Sequence, residues 1–246
     1  MEKQAANAGA TERMSTPQDA SLRAGLAALH LLLADKQIQQ LLDYQALIGK
    51  WTQVYNLTAV RDPAEMMTHH LLDSLAAVVP LQRHLAQAGL ASGSRLLDVG
   101  SGAGLPGVVI AICCPAVAVT CVDTVAKKAA FVKQAALALK LPNLLGLHAR
   151  VESLSASSTP LFDVVCSRAF ASLADFTAWS ATALAPHGVW MAMKGKQPTD
   201  EMAALPAALD VFHVEPLSVP GLQAERCLLW LRQKTPSTAS QYNLVT

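Results

Sequence analysis

One glycine-rich segment limits the folds open to this chain more than any other feature. From Asp98 to Gly107 the sequence reads Asp-Val-Gly-Ser-Gly-Ala-Gly-Leu-Pro-Gly, and the short aliphatic run 95–99 leads into it. Glycine lets the backbone turn sharply and lets a ligand approach without a Cβ atom in the way. A strand that ends in such a turn before an apolar helix is typical of α/β folds, which bind ligands at the carboxyl ends of their strands.

Strand and helix patterns alternate after this turn. Further strands are predicted at 117–122, 144–149, 162–167, 188–193, 211–216 and 227–231. Helices are predicted between them, including 126–141 and one that begins at a Ser172–Asp175 capping box. The alternation predicts an α/β fold with a parallel, doubly wound sheet over residues 93–234.

The chain before this domain has a helical pattern. Apolar residues recur at spacings of three and four along one face, at Leu41, Tyr44, Leu47, Ile48 and Trp51. Asp62 and Pro63 supply an N-cap and a first-turn proline for a later helix. We therefore expect a helical N-terminal extension at 21–92. Residues 1–20 are expected to form a disordered tail, and residues 235–246 a C-terminal tail.

A carboxylate follows the second predicted strand. Asp123 stands where it can accept hydrogen bonds from both ribose hydroxyls of an adenosine. The spacing G-x-G-x-G after Asp-Val favours S-adenosylmethionine, whereas a dinucleotide site needs a glycine in place of Leu105. A tight turn with a helix-capping Asp123 and no ligand is the third interpretation, and the pattern alone leaves all three open.

Composition excludes several classes of protein. Hydrophobic residues make up 52% of the chain and charged residues 15%, a balance opposite to that of a disordered chain. The longest uncharged stretch is broken by glycines and prolines, so its apolar part, Val108–Cys114, is too short to span a bilayer. Acidic residues before the apolar run 26–34 argue against a signal peptide. The 5 cysteines form no CxxC pair, which predicts reduced core thiols and no metal site. We expect a cytoplasmic monomer without a membrane partner.

Several short segments outside the glycine turn identify a family. They are Tyr55-Asn-Leu-Thr58, Arg61-Asp-Pro63, His70-Leu-Leu-Asp-Ser74, Asp123-Thr with Lys127-Lys128, Arg150-Val-Glu152, Ser167-Arg-Ala-Phe-Ala-Ser172 and Lys194-Gly195. Together with the turn they resemble the RsmG family, also called GidB, of 16S ribosomal RNA guanine-N7 methyltransferases. The resemblance runs in register over about residues 40–232 and leaves out the amino-terminal tail.

The resemblance implies a class I S-adenosylmethionine-dependent methyltransferase fold, Rossmann-like, with a helical N-terminal extension. The implied partner is 16S rRNA in the 30S ribosomal subunit, and the family target is guanine 527 of the 530 loop. Methylation of another RNA base and NAD-dependent oxidation are the alternatives. Carried over by position, the cofactor-binding residues are Gly100, Gly102 and Leu105 in the turn, Asp123 at the ribose, Val151 and Glu152 at the adenine, and Arg168 at the donor.

Two of these assignments have purely structural alternatives. The segment Arg150-Val-Glu152 also fits an exposed loop with an ion pair. Arg168 also fits a salt bridge at the end of its strand, with Asp163 or Asp175 as the partner.

The implied methyl transfer requires few catalytic groups from the protein. Guanine N7 carries an exposed lone pair, so an in-line methyl transfer needs positioning and no general base. The sequence identifies no catalytic residue, and His69 and His70 on a helix face are expected to be structural. Side chains cannot enter the deep groove of A-form RNA where N7 lies, so the guanine must come from a loop or be extruded. Phe170 is expected either to stack on it or to pack in the core.

The charge distribution favours an RNA partner, although the net charge is only +1. Residues 124–199 contain eight Lys or Arg against three acidic residues, whereas 200–225 contain five acidic residues and neither Lys nor Arg. Lys127 and Lys128 fall in the first turn of a helix, where the helix dipole disfavours cations. A locally unfavourable residue suggests function, so Lys127, Lys128 and Lys194 are predicted to bind RNA. Solvated surface charge is the alternative.

Overall fold

The computed structural model describes residues 16–155, 157, 159–168 and 170–234. Its amino-terminal part is helical: α1 (Pro17–Ala28), α2 (Asp35–Tyr55), α3 (Pro63–Met66), a π-helical turn (Met67–Leu72), α4 (Asp73–Leu75) and α5 (Val78–Gln87). Helix α1 has Thr16 as its N-cap and Pro17 in its first turn, so residues 17–20 are helical and their assignment to a tail was wrong. The tails predicted at 1–15 and 235–246 lie outside the described residues.

Strands and helices alternate in the rest of the chain. The elements are β1 (Arg95–Val99), α6 (Gly107–Cys113), β2 (Ala118–Asp123), α7 (Ala126–Ala138), β3 (Leu144–His148), β4 (Phe162–Arg168), α8 (Leu173–Ser180), β5 (Leu184–Lys194), α9 (Thr199–Ala203), β6 (Leu209–Pro216) and β7 (Cys227–Gln233). Short 3-10 turns cover Val151–Ser153 and Ala181–Ala183. All seven predicted strands are present, and Ser172 caps α8 by accepting the backbone N–H of Asp175.

The strands form one sheet in the order β3-β2-β1-β4-β5-β7-β6. Strands β1 to β5 are parallel, and β7 runs antiparallel to both of its neighbours. The chain winds one way from β1 to β3 and the other way from β4 onward, so the predicted doubly wound sheet is confirmed. The point of reversal lies between β1 and β4, where open α/β sheets bind their ligands.

The helical extension and the sheet share one hydrophobic core. A single cluster of buried side chains joins Leu22 and Ile38 of the extension to Val108 of α6 and Phe131 of α7. Every residue of α6 is buried, because the sheet covers one side of it and the extension the other. The five cysteines are buried and free, as predicted.

Helix α2 supports the helices that carry the glycine turn. Its Gln37 and Gln40 donate side-chain amide hydrogens to the carbonyls of Ile112 and Leu139, at the carboxyl ends of α6 and α7. Carbonyls at a helix end lack partners within the helix, so these amides satisfy them. The Tyr44 hydroxyl donates to the carbonyl of Ala103 inside the glycine turn. The extension therefore fixes the turn from outside the sheet.

Within residues 16–234, apart from the three positions not described, we find no helix long and apolar enough to cross a membrane.

The glycine turn has the left-handed backbone that its glycines predict. Gly100, Gly102 and Gly104 have φ values of 65°, 58° and 83°. Asp98, at the end of β1 and fully buried, accepts the backbone N–H of Gly107 at 2.8 Å and so fixes the start of α6. Burial raises the pKa of Asp98 from 3.8 to about 7, although the Gly107 N–H and Arg168 favour the charged form.

Replacing either of two glycines by alanine is expected to change the stability of the protein, in opposite directions. A Cβ at Gly146 of β3 would lie 2.8 Å from the carbonyl oxygen of Ala129 in α7, a backbone atom that cannot move without displacing the helix. Gly146→Ala should therefore lower the free energy of unfolding by about 1–3 kcal/mol. The matched control, Gly49→Ala in α2, meets nothing within 4 Å and should raise it by about 0.5–1 kcal/mol. Urea unfolding measures both, and equal effects would contradict the packing of α7 on β3.

The pKa of Asp98 predicts a pH dependence of stability. The folded state keeps the proton up to about pH 7, while the unfolded state loses it near pH 3.8. Between these values the folded state binds more protons, so this group lowers the free energy of unfolding as pH rises, by about 1.4 kcal/mol per pH unit. Asp98→Asn should remove this decline in urea unfolding between pH 5 and 7. Asp43→Asn at an exposed position of α2 is the control. Parallel pH curves for wild type and Asp98→Asn would refute the assignment.

Candidate cofactor and substrate site

Two cavities lie side by side at the carboxyl edge of the sheet, and Gly100 lines both. The β2-side cavity, of about 410 Å³, is lined by residues that include Asp123, Lys128, Val151, Glu152, Phe170 and Trp179. The β4-side cavity, of about 510 Å³, is lined by residues that include Leu57, His70, Leu105, Arg168, Lys194 and Arg226. A larger cavity, of about 1040 Å³, lies among α1, α2 and α3 and contains none of the predicted site residues.

The seven residues predicted to bind the cofactor all line these two cavities. Gly100, Gly102, Leu105 and Arg168 line the β4-side cavity, and Asp123, Val151 and Glu152 line the β2-side cavity. The two sets meet at Gly100, where a Cβ would lie 2.6 Å from the ring of Phe170. The fold thus collects residues from four separate segments into one continuous site.

Asp123 supports the turn and retains capacity for a ligand. Its Oδ2 accepts the N–H of Gly102 at 2.9 Å, and its Oδ1 accepts the N–H of Val125 at 2.8 Å. A carboxylate has about four lone-pair sites, so one on each oxygen is left for a second donor. Lys128 Nζ lies 3.9 Å from Oδ2 and is one-third exposed. Asp123 therefore holds the glycine turn and the chain before α7 and borders the β2-side cavity, whereas α7 itself has no side-chain cap.

The far end of the β2-side cavity is aromatic. Phe170 packs edge-to-face on Trp179 of α8, with ring centroids 5.7 Å apart, and Trp179 is 40% exposed. Val151 lies buried among these residues and Glu152 is exposed. Arg150 and Glu152 also form the exposed ion pair that the sequence allowed, with an N–O distance of 3.5 Å.

Arg168 forms a salt bridge, but with neither partner that the sequence suggested. Its Nη1 donates to Asp73 Oδ2 at 2.7 Å and to the carbonyl of His69 at 2.8 Å. Arg226 donates through Nε to the other oxygen of Asp73 at 2.8 Å. Asp73 is 2% exposed, so one buried carboxylate of the extension holds two guanidinium groups and leaves a surplus positive charge in the β4-side cavity.

The proposed partners of Arg168 are engaged elsewhere. Asp163 accepts the backbone N–H of Arg95, and Asp175 accepts the hydroxyl of its N-cap, Ser172. The first interaction joins β4 to β1, and the second lies at the start of α8. A salt bridge of Arg168 with Asp163 or Asp175 was therefore a wrong prediction.

The three predicted RNA-binding lysines have different surroundings. Lys127 is exposed in the first turn of α7, and Lys128 is partly buried beside Asp123. Lys194 donates to Glu201 at 2.9 Å and to the carbonyl of Ala171, while it also lines the β4-side cavity. Lys194 thus holds the loop before α8 and is not a free surface cation.

His70 is the residue that sequence reasoning set aside and the structure brings into the site. Its ring is 7% exposed and lines the β4-side cavity, with Nε2 2.8 Å from the hydroxyl of Thr58. Burial is the main cause that lowers the pKa of His70, and Arg168 lowers it further. Asp73 and Arg226 were also missed as site residues. The segment His70-Leu-Leu-Asp-Ser74, which carried the family resemblance, was the available signal for two of these three.

Within the described residues no group of three or more His, Cys, Asp or Glu side chains is arranged to hold a metal ion.

Comparison with a solved structure supports the fold. The structure of TrmN from Thermus thermophilus superposes with a TM-score of 0.51 over 89% of this chain and 79% of that one, at 18% identity. This likeness concerns the fold alone. With the seven-stranded order of the sheet, it confirms the predicted class I methyltransferase fold with helices before the sheet.

Comparison with sequences identifies the family. A model described as rRNA small subunit methyltransferase G (GidB) matches residues 37–229. A protein of Polaromonas sp. strain JS666 named Ribosomal RNA small subunit methyltransferase G is 76% identical over 214 residues, which cover 87% of this chain and 93% of that one. An Acidovorax protein of the same name is 68% identical over 222 residues, 89% of this chain and 96% of the other. The resemblance found in the sequence is thus confirmed, and the chain belongs to the rRNA small subunit methyltransferase G family.

Proposed function

We propose that this protein transfers a methyl group from S-adenosylmethionine to N7 of a guanine in 16S ribosomal RNA. The observation that carries the proposal is the pair of cavities that meet at Gly100, one bordered by the Asp123 carboxylate and the other by the guanidinium groups of Arg168 and Arg226. Relatives named as ribosomal RNA small subunit methyltransferase G support the reaction and the substrate. The family target, guanine 527 in the 530 loop, is part of the proposal.

The residues present fit the methyl donor. The remaining lone pairs of Asp123 suit two ribose hydroxyls, and Val151 with Trp179 suits a flat adenine ring. Gly100 lines both cavities, and a Cβ atom there would collide with the ring of Phe170, so this border accepts no side chain. When bound, the donor supplies an electrophilic methyl on a sulfonium.

The β4-side cavity then receives the guanine. No proton has to be removed from N7, so the protein contributes by orienting the base and excluding water. Arg168 and Arg226 are held by Asp73 and keep N–H donors free for RNA phosphate or base oxygens. Lys194 lines the same cavity and fixes the loop that leads to α8.

The geometry disfavours the dinucleotide alternative. In dinucleotide-binding folds the pyrophosphate binds the free N–H groups at the start of the helix after the glycine turn. Here the N–H of Gly107, the first residue of α6, is already bonded to the Asp98 carboxylate. A pyrophosphate at this place would find that donor already in use.

Charge at the surface supports RNA docking beside the site. Lys127 and Lys128 begin α7, which has no acidic residue in its first turn and no side-chain cap. Lys127 is exposed and Lys128 borders the β2-side cavity, so phosphates of the RNA can reach both near the target. A ribosomal substrate also supports a cytoplasmic location.

Methyl transfer to ribosomal subunits tests the function. Purified protein is incubated with 30S subunits that lack the modification and with S-adenosylmethionine labelled in its methyl group. We expect one label per subunit in 16S RNA, and chain cleavage specific for 7-methylguanine should locate it in the 530 loop. Label at another base would show that a different nucleotide is the target, and failure to label RNA would refute the proposal.

The ribose role of Asp123 gives a binding prediction. Asp123→Ala removes the ribose acceptor and also frees the N–H of Gly102, so affinity for S-adenosylhomocysteine should fall by about tenfold or more in calorimetry. Asp43→Ala, which removes an exposed carboxylate from α2, should leave the affinity unchanged. An Asp123→Ala protein that binds like wild type would exclude this role.

The lysines at the start of α7 give a prediction about salt. Lys127→Ala with Lys128→Ala should reduce the slope of log affinity for RNA against log salt by about 0.7–0.9 for each phosphate that is no longer neutralised. Lys36→Ala with Lys234→Ala is the matched control, since both lysines are exposed. Both also lie away from the site. Lys36 is next to Gln37, which bonds the carboxyl end of α6, and Lys234 follows the end of β7 at the opposite edge of the sheet. Equal slopes for the two double variants would place the RNA elsewhere.

A further inference from the structure

One buried polar atom in the β4-side cavity has no partner in the protein. His70 is only 7% exposed, yet its Nδ1 makes no hydrogen bond with any described residue. The nearby carbonyl of His69 favours a charged ring and accepts from Arg168, but it makes no hydrogen bond with Nδ1. Buried polar atoms in native proteins nearly always have a partner, and His70 lines the β4-side cavity, so its ring leaves one hydrogen bond for a ligand.

The backbone that carries His70 is unusual. Residues Met67–Leu72 form a π-helical turn between two short α-helices, and such turns occur frequently at functional sites. The same turn brings the carbonyl of His69 to Arg168 and is followed at once by Asp73. Two residues of the π-helical turn, His69 and His70, and the Asp73 that follows it thus all line the β4-side cavity.

The other ring nitrogen of His70 lies beside the Thr58 hydroxyl, a group that can donate to it or accept from it. Thr58 Oγ1 accepts the backbone N–H of Val60 at 3.2 Å, which leaves its own hydroxyl hydrogen to donate. We assign this hydrogen to His70 Nε2, which lies 2.8 Å from the hydroxyl oxygen. A neutral imidazole has one N–H, so with Nε2 accepting, Nδ1 carries the hydrogen and is a donor.

Guanine offers this donor a single suitable acceptor. Its N7 and O6 are adjacent acceptors on one edge of the base, whereas adenine presents an amino group in place of O6. N7 must stay free for the incoming methyl group, which excludes the common two-pronged contact with arginine. A single N–H donor to O6 is the contact that both holds the base and keeps N7 open.

We propose that the Nδ1–H of His70 donates a hydrogen bond to O6 of the target guanine, so that His70 positions the base and selects guanine over adenine. This inference rests on the proposed function, since it assumes that guanine enters the β4-side cavity. A neutral ring also suits a base that becomes positively charged as N7 is methylated. His70 is therefore a specificity-determining residue, and no proton transfer is assigned to it.

Substitutions that keep or remove the donor test the proposal. His70→Asn places an amide N–H near the position of Nδ1, while His70→Gln places it near Nε2 and His70→Phe has none. Each protein is given 30S subunits reconstituted with guanine or with 2-aminopurine at the target, because 2-aminopurine keeps N7 and lacks O6. Wild type should prefer guanine by about 10- to 100-fold in kcat/KM. His70→Asn should keep most of this preference, and His70→Gln and His70→Phe should lose it.

The controls separate this inference from its alternatives. S-adenosylhomocysteine affinity should be unchanged in all three variants. A variant that loses affinity for S-adenosylhomocysteine as much as it loses activity would show that the ring contacts the methyl donor, which overturns the proposal. Equal rates of wild type on the two bases would overturn it without any variant, even if a substitution prevents folding. A wild-type protein that methylates no guanine N7 would instead refute the proposed function.

Discussion

The site depends on one buried carboxylate. Asp73 stands in the helical extension and holds Arg168 at the end of β4 and Arg226 just before β7, 95 and 153 residues further along the chain. Removing one member of a buried ion pair leaves an uncompensated charge, which costs several kcal/mol. The three charges therefore keep the extension, the central strands and the carboxyl-terminal hairpin in one arrangement. The β4-side cavity exists only in that arrangement, because each of these segments supplies part of its wall.

The glycine turn depends on a second set of long-range contacts. Asp98 and Asp123 accept N–H groups from Gly107 and Gly102, and Tyr44 donates to the carbonyl of Ala103. Two carboxylates from neighbouring strands thus fix the turn from below, while a tyrosine of α2 fixes it from the side. Backbone groups that are already bonded do not have to be ordered when a ligand binds, which lowers the entropic cost of binding.

Local patterns in the sequence were sufficient for the sheet, the glycine turn and the position of Asp123. Apolar runs and turn residues are local signals, and parallel strands bring their carboxyl ends together. The partner of Arg168 could not be predicted, because Asp73 lies 95 residues away and its pairing follows from how the extension packs. The start of α1 was missed because the polar, alanine-rich sequence around it has no helical periodicity, although Thr16 is the N-cap of the helix. His70 was set aside because, like the partner of Arg168, its surroundings depend on tertiary packing. They come from Thr58 and from β4, not from its own helix.

The border in the sequence near residue 93 does not correspond to a border in the molecule. Helix α6 is buried on all sides, and one of those sides is α2. A chain that began at residue 93 would turn that apolar helix toward water and leave two helix ends without their capping amides. The helical extension, which the sequence sets apart from the α/β domain, is thus a structural part of that domain. The helical extension and the strands that carry the candidate site therefore fold, and fail to fold, as one body.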